Sequence, residues 1–193
     1  ERAIPQLKDT REVLAKLKLG STRSKLLAII ANLRGAREAS AFDEITYLGF
    51  PFSISETFQQ RNTNTSIAQS MDTVKHLLEI CNTNQKEAVI YLSMGFGNPY
   101  GDPWNEEIVE YWTAQLVASG VRILALSDTT GVSTPSKLNK ILPGLTSKFG
   151  DVEIGLHLHS TADSQYEKIE AAYNCGCRRF DGAVKGLSGC PMA

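Results

Sequence analysis

The sequence is poor in cysteine and histidine, with four of the first and three of the second among its 193 residues. The cysteines stand at positions 81, 175, 177 and 190, a spacing too irregular for a secreted disulfide framework or a zinc ribbon. We therefore expect reduced thiols and an intracellular setting. That setting would be the cytoplasm or, in a eukaryote, the mitochondrial matrix.

Long apolar runs and an excess of charge are also missing. No segment approaches the ~20 apolar residues that cross a bilayer, and the first residues resemble neither a signal peptide nor a transit peptide. The formal net charge is -1, so neither nucleic acid nor a membrane surface is favoured as a partner. The composition, 42% hydrophobic and 21% charged, predicts a globular protein that forms one domain over residues 1–193, or part of a larger one.

Strand-like and helix-like segments alternate along the whole sequence. Near-continuous apolar runs indicate strands that are covered on both faces. Amphipathic helices are predicted between them, the longest with an apolar stripe from Ile67 to Cys81. The predicted strands span residues 25–32, 44–50, 87–93, 121–128, 153–159 and 178–184.

This alternation predicts an α/β fold of parallel strands with right-handed crossovers. No GxGxxG or GxxxxGK[ST] motif follows the first strand, which counts against a nucleotide-binding open sheet. The expected architecture is a TIM-type (β/α)8 barrel, of which the chain covers about six β/α units. Because so few strands cannot close such a barrel, we expect an interior portion of a larger barrel, or missing elements supplied in another way.

Most of the polar and reactive side chains follow the carboxyl ends of the predicted strands. Barrels and open α/β sheets both keep their ligand sites at that edge. His76 lies off the apolar stripe of the longest helix, and we assign it no role. The candidates for a site are Asn32, Asn98, Asp128, His157, His159 and Cys190.

Two of the histidines are separated by a single residue in an apolar, strand-like run. Side chains at positions i and i+2 of a strand point to one side of the sheet. His157 and His159 should therefore project together. That geometry can chelate a metal ion, and it can equally belong to a structural pair held by hydrogen bonds.

Three motifs in a fixed order carry a resemblance to a known family. Asp-Thr-Thr-Gly-Val-Ser-Thr-Pro occupies residues 128–135, His-Leu-His occupies 157–159, and Gly-Leu-Ser-Gly-Cys-Pro-Met-Ala occupies 186–193. The sequence resembles the 3-hydroxy-3-methylglutaryl-CoA lyase family, within the metal-dependent TIM-barrel lyase and aldolase superfamily. The third motif is the most selective, because Claisen-type synthases of the superfamily usually have a Gly-Glu-Arg type sequence there. Segments 32–35 and 96–101 are also similar to loops of the family.

The resemblance implies a retro-Claisen cleavage of an acyl-CoA substrate, 3-hydroxy-3-methylglutaryl-CoA, to acetyl-CoA and acetoacetate. A divalent cation, Mg²⁺ or Mn²⁺, would be held by His157 and His159 and would polarise oxygen atoms of the substrate. Cys190 would deliver a proton to the acetyl-CoA enolate, a role open to a thiol because its usual pKa is near ~8.5. Asp128 would orient a neighbour by its charge. Asn32 and Asn98 would contact the substrate.

The chain also departs from the family's pattern. The Arg-Asp-Gly motif of the family's first strand and the Gly-Asn-x-x-x-Glu motif after its cysteine loop carry further metal ligands, and neither is in the sequence. Ser160 stands where the family usually has Asp, and Ala183 and Lys185 stand where it usually has Ser and Gly. Two imidazoles are an incomplete ligand set for a cation that prefers oxygen. We therefore expect a full-length lyase of which these residues alone are not competent.

Two alternatives stay open. A sibling metal-dependent aldolase or a Claisen-type acyl-CoA synthase would share the fold and the metal without requiring Cys190. A noncatalytic, barrel-derived binding protein would require neither the metal nor the thiol. The sequence does not decide the oligomeric state, for which we consider a homodimer.

Overall fold

A single parallel sheet organises the part of the chain that the computed structural model describes, residues 9–183. Its strands follow one another in space in the same order as in the chain. That order is typical of a (β/α) barrel, because the strand order of a doubly wound sheet reverses at a switch point. The strands are β1 (Leu26–Ile29), β2 (Ile45–Ser53), β3 (Glu87–Ser93), β4 (Ile123–Ser127), β5 (Glu153–His157) and β6 (Arg179–Asp181). The predicted α/β fold and partial barrel are confirmed.

Helices connect the strands and cover one face of the sheet. They are α1 (Thr10–Lys16), α2 (Leu33–Ser40), α3 (Glu56–Thr63), α4 (Ile67–Thr83), α5 (Glu106–Ala118), α6 (Pro135–Lys148) and α7 (Gln165–Asn174). Polar side chains begin most of them: Asn32, Ser55, Ser66, Asn105 and Thr134 each accept a hydrogen bond from a backbone N–H of the first turn. Such caps satisfy N–H groups that a helix leaves without partners.

Several predicted bounds are corrected by the structure. The first strand ends at Ile29 because Asn32 already caps α2. The fifth strand ends at His157, not at residue 159, because its pairings with β4 and β6 both end there. Helix α3 was not predicted, since only Phe58 and Gln59 among its residues are buried and it lacks an apolar stripe.

The two faces of the sheet bury different sets of side chains. Alternate strand residues such as Ile90 and Leu92 join the large core beneath the helices. The residues between them point to the inner face, where Val89, Tyr91, Ile123 and Ala125 form a small second cluster. This division is expected of a barrel wall, whose residues alternate between the interior and the helix layer.

A glycine in β5 makes room on that inner face. A Cβ atom built at Gly155 would lie 2.7 Å from the side chain of Arg179 on the adjacent strand. The arginine therefore crosses the position that another side chain would fill, and its Nη1 reaches Glu153 Oε1 at 3.0 Å.

In residues 9–183 no helix is long and apolar enough to span a membrane.

Candidate active site at the carboxyl edge of the sheet

Two imidazoles converge where β5 ends. His157 is the last residue of the strand and His159 follows in the loop, yet their Nε2 atoms lie 3.3 Å apart. Two ring nitrogens that bind one metal ion at ~2.0–2.1 Å are separated by ~3.0–3.4 Å. The separation therefore fits a shared cation, and it also allows an N–H···N hydrogen bond. The shared direction expected from the i, i+2 spacing is the one observed.

An aspartate on the next strand contacts the first imidazole. Asp181, the last residue of β6, places Oδ2 3.0 Å from His157 Nδ1. When Nδ1 of the neutral ring carries the proton, its N–H donates a hydrogen bond to this carboxylate. Nε2 then has a free lone pair that faces His159. Metal-binding histidines commonly have such a carboxylate partner. This contact favours the metal-binding interpretation of the pair over the structural one.

Tyr91 packs against His157 on the inner face of the sheet. Its ring meets the His157 imidazole edge to face, with 5.7 Å between the ring centroids. Burial, followed by the negative charge of Asp181, raises the pKa of Tyr91 to about 12. The phenol is therefore protonated at neutral pH and adds no negative charge beside the imidazoles.

The carboxylate of Asp128 lies just beyond the end of β4 and is buried. Its Oδ1 accepts from the backbone N–H of Ser133 at 3.0 Å, and its Oδ2 accepts from the Ser133 hydroxyl. Its third partner is Lys168 of α7, whose Nζ lies 3.4 Å from Oδ2. The backbone N–H of Asp128 donates to the carbonyl of His157 at 2.9 Å. Asp128 thus links the β4 turn to the imidazole strand.

The environment of the second imidazole favours its neutral form. Burial, followed by the repulsion that a protonated His157 would exert, lowers the pKa of His159. A neutral imidazole has the lone pair that a metal ion requires. Near neutral pH, the ring of His159 is therefore in the form that can bind a cation.

The two asparagines predicted to contact substrate form local contacts in the structure. Asn32 accepts from the N–H of Gly35 at 2.9 Å as the cap of α2. Asn98 accepts from the N–H groups of Tyr100 and Asp102 and donates to the Asp102 carbonyl, which shapes its own loop. Their contact with substrate stays a prediction. Cys190 lies outside the described residues, and its predicted role stays a prediction as well.

Sequence reasoning missed Asp181 and Lys168. Asp181 lies inside the predicted strand of residues 178–184, where a carboxylate within a strand is a signal that could have found it. The structure ends β6 at this residue, at the same edge as Asp128. Lys168 gives no such signal, because a lysine in an amphipathic helix is normally expected at the surface.

Among the described residues a cleft lies away from the imidazoles, between α5 and the start of α3 and α4. It encloses about 410 Å³, and Ile54, Asp102 and Trp112 are among its lining residues. None of the imidazoles lines it. We place the candidate site at the imidazoles, because they bring ring nitrogens, carboxylates and an ammonium together.

The two imidazoles fit a metal ion as part of its ligand set. Within residues 9–183 no three His, Cys, Asp or Glu side chains are arranged to hold one. Hard cations such as Mg²⁺ take several oxygen ligands, and some of these can be water or substrate atoms.

Comparison with proteins of known sequence gives consistent relatives. A hydroxymethylglutaryl-CoA lyase of Bacillus subtilis is 30% identical over 196 residues, which cover 98% of this chain and 63% of that protein. An (R)-citramalyl-CoA lyase of Chloroflexus aurantiacus is 25% identical over 169 residues, covering 88% of this chain and 53% of that protein. The chain therefore spans between half and two thirds of the length of these relatives.

Solved structures agree with these relatives. The crystal structure of the Bacillus subtilis HMG-CoA lyase matches all of this chain and 64% of its own, with a TM-score of 0.89 and 29% identity. An HMG-CoA lyase from Acinetobacter baumannii, solved with coenzyme A and 3-methylmalate, matches all of this chain and 62% of its own, with a TM-score of 0.85 and 29% identity. A family model described as HMGL-like matches residues 4–190. This chain therefore belongs to the HMGL-like family.

Proposed function

We propose that this chain supplies the cation-binding imidazoles of a carbon–carbon lyase that cleaves 3-hydroxy-3-methylglutaryl-CoA to acetyl-CoA and acetoacetate. The observation that carries the proposal is the 3.3 Å approach of His157 Nε2 and His159 Nε2 at the carboxyl edge of the sheet. The substrate is chosen because the 30% identical relative from Bacillus subtilis is a hydroxymethylglutaryl-CoA lyase. Bound coenzyme A in the Acinetobacter baumannii lyase supports an acyl-CoA substrate.

The reaction develops negative charge at two atoms of the substrate, the oxygen on C3 and the carbon C2. The hydroxyl on C3 loses its proton and becomes the ketone of acetoacetate. The bond between C2 and C3 breaks, and its electron pair passes to C2, next to the thioester. A proton then adds to C2 and completes acetyl-CoA. Catalysis therefore needs a group that polarises the hydroxyl, a base or water molecule that accepts its proton, and an acid that reaches C2.

The residues of this chain divide that work between them. A bound Mg²⁺ or Mn²⁺ would polarise the hydroxyl and carbonyl oxygens of the substrate. His157 and His159 would hold the ion, and Asp181 would keep the Nε2 lone pair of His157 directed at it. Asp128 would hold the strand end in place through its backbone contact with His157. Cys190 would donate the proton to C2.

The remaining metal ligands are proposed to lie outside residues 9–183. Two imidazoles alone bind a hard cation weakly, since such ions prefer oxygen. We therefore expect the 193 residues alone to cleave the thioester far more slowly than the longest natural polypeptide that contains them. Equal rates from the two polypeptides would contradict this.

A second substrate is favoured by one comparison. The Chloroflexus aurantiacus relative is named as a lyase of (R)-citramalyl-CoA, another acyl-CoA. A lyase of that kind would use the same cation and the same imidazoles. The two candidates differ in which thioester is turned over and in the 2-oxo or 3-oxo acid that is released.

The experiment offers both thioesters to the longest natural polypeptide with Mg²⁺ or Mn²⁺ and measures acetyl-CoA and the released acid. We expect 3-hydroxy-3-methylglutaryl-CoA to be cleaved, and cleavage to stop with EDTA and resume with Mn²⁺. Preferential cleavage of citramalyl-CoA would select the second substrate. Cleavage of neither, together with no cation binding by calorimetry, would contradict the proposal and favour a noncatalytic binding protein.

A further inference from the structure

Helix α7 directs a lysine inward and its larger apolar side chains outward. Lys168 is 5% exposed, whereas Tyr166 and Ile169 of the same helix are 76% and 41% exposed. Burial of an ammonium is unfavourable unless the charge is paired and hydrogen-bonded. Its position therefore has to be explained by its contacts.

Those contacts join two parts of the candidate site. Lys168 Nζ forms an ion pair with Asp128 Oδ2 at 3.4 Å, and the side chains are 6% and 0% exposed. The same Nζ donates to the main-chain carbonyl of His159 at 3.2 Å. One ammonium thus connects the carboxylate after β4 with the backbone after β5.

The backbone contact matters because His159 lies beyond the sheet. β5 ends at His157, whose carbonyl accepts from the N–H of Asp128 at 2.9 Å. Among residues 9–183 His159 has no strand pairing of this kind, and the ammonium of Lys168 donates to its carbonyl instead. The two imidazole residues are therefore anchored by one connected group, Asp128 with Lys168.

The pairing also keeps the charge near the imidazoles balanced. An unpaired ammonium at this depth would repel a cation held by the rings. Because the carboxylate of Asp128 lies beside it, the pair supplies a hydrogen-bond donor with little net charge. An alkyl side chain of similar length would fill the same space and supply no donor.

We propose that Lys168 is a positioning residue, whose ammonium joins Asp128 to the carbonyl of His159 and so holds the His159 imidazole against that of His157. The inference rests on the proposed function for its chemical purpose, since the pair it positions is the cation site. The inference also identifies the neighbour that Asp128 orients, which is the ammonium of Lys168.

The first test measures Mn²⁺ binding by the electron paramagnetic resonance signal of free Mn²⁺, on the longest natural polypeptide that contains these residues. Lys168→Met should weaken binding by about 10–100-fold, the usual effect of losing a residue that orients a metal ligand. Lys168→Arg, which keeps a charged donor, should restore most of the affinity. Lys140→Met removes an exposed lysine of α6 and should change nothing.

A double variant separates positioning from stability. Lys168→Met alone leaves the Asp128 carboxylate buried without its cation, which can impair folding. Lys168→Met with Asp128→Asn removes both charges, so the fold should recover while the His159 carbonyl still lacks its ammonium donor. We expect native-like unfolding with weakened Mn²⁺ binding. Wild-type Mn²⁺ affinity in this variant would overturn the proposal.

A second readout needs no metal. The two imidazole centroids lie 5.2 Å apart, so nuclear Overhauser effects between their ring protons should appear in the metal-free wild type and in Lys140→Met. They should disappear in Lys168→Met and in Lys168→Met with Asp128→Asn. Retention of these effects in the double variant would overturn the proposal even if the protein proves not to bind Mn²⁺. If the wild type shows them and binds Mn²⁺ but cleaves no thioester, the proposed function fails and the positioning role stands.

Discussion

Asp102 and Asp128 lie in loops that follow neighbouring strands of one sheet edge, yet their carboxylates are held by different partners. Asp102 is half-buried and accepts from the hydroxyl of Ser55 and from the N–H and hydroxyl of Thr57. Asp128 is buried and is held by Ser133 and by the ammonium of Lys168. The first carboxylate relies on neutral donors, and the second also relies on a cation.

The two carboxylates have different partners because they are buried to different extents, and their contacts join different parts of the fold. A carboxylate near solvent keeps much of its hydration, so hydroxyl and amide donors are sufficient for it, and Asp102 ties the loop after β3 to the start of α3. A fully buried carboxylate requires a countercharge. That countercharge also reaches His159, so the buried aspartate is linked to the imidazoles and the half-buried one is not.

The largest effect on stability is expected at the buried aspartate. Asp128→Ala leaves the ammonium of Lys168 buried without its partner and removes the acceptor for Ser133. We expect a loss of about 3–5 kcal/mol in the free energy of unfolding, the usual result of breaking a buried ion pair. Urea denaturation measures it. A loss below about 1 kcal/mol would show that water reaches Lys168 and that the two aspartates do not differ as described.

A different kind of loss is expected at Asp181, which contacts an imidazole directly. Asp181→Asn should weaken Mn²⁺ binding by about 10–100-fold, because a neutral amide replaces the carboxylate. The amide can present either its oxygen or its NH₂ group to Nδ1, so the tautomer of His157 is no longer fixed. The free energy of unfolding should change much less than in Asp128→Ala, since Asp181 is only partly buried. Calorimetric titration with Mn²⁺ and urea denaturation of the same sample measure the two quantities. Unchanged Mn²⁺ affinity would remove the argument for metal binding that rests on this contact.

At Asp102 we expect a smaller, pH-dependent loss. The hydrogen bond from Ser55, followed by those from Thr57, holds the pKa of Asp102 below its usual value. The charged form therefore stabilises the fold above the unfolded pKa of ~3.9, and this stabilisation is lost as the pH falls through the lower folded pKa. Asp102→Asn should cost about 1–2 kcal/mol at pH 7.

The pH series supplies the control for that substitution. The difference in unfolding free energy between wild type and Asp102→Asn should be constant between neutral pH and about pH 5, and it should shrink as the pH falls below ~3.9. A difference that grows in acid would mean that the pKa of Asp102 is raised in the folded protein, contrary to its contacts.

The smallest effect is expected at an exposed aspartate. Asp72 pairs with Lys75 at 3.1 Å on the surface of α4, where the side chains are 68% and 57% exposed. Asp72→Ala should change the free energy of unfolding by less than about 0.5 kcal/mol, because exposed ion pairs contribute little. Urea denaturation beside Asp128→Ala and Asp102→Asn completes the series from buried to exposed. A loss equal to that of Asp102→Asn would indicate that burial does not determine how much each aspartate contributes to the free energy of unfolding.

Local patterns in the sequence predict much of the fold. Continuous apolar runs identify the six strands, and the apolar stripe from Ile67 to Cys81 identifies helix α4. The approach of His157 to His159 was expected from the two-residue period of a strand, although His159 lies in the loop that follows β5. These features depend on neighbours in the chain, which a single sequence displays.

What the sequence did not reveal depends on contacts between distant segments. The Asp181 contact with His157 needs the register between β5 and β6. The inward turn of Lys168 needs the buried carboxylate of Asp128, which lies 40 residues away in the chain. Helix α3 was missed because its burial against β2 involves too few apolar residues to produce a period.

The most direct test of the central claim is the Mn²⁺ affinity of single histidine variants of the longest natural polypeptide that contains these residues. His157→Ala and His159→Ala should each weaken binding by at least about 100-fold, more than the loss of an orienting residue. His76→Ala, which removes an exposed imidazole on α4, should bind as tightly as the wild type. Unchanged Mn²⁺ affinity in either of the first two variants would contradict the claim that the paired imidazoles hold the catalytic cation.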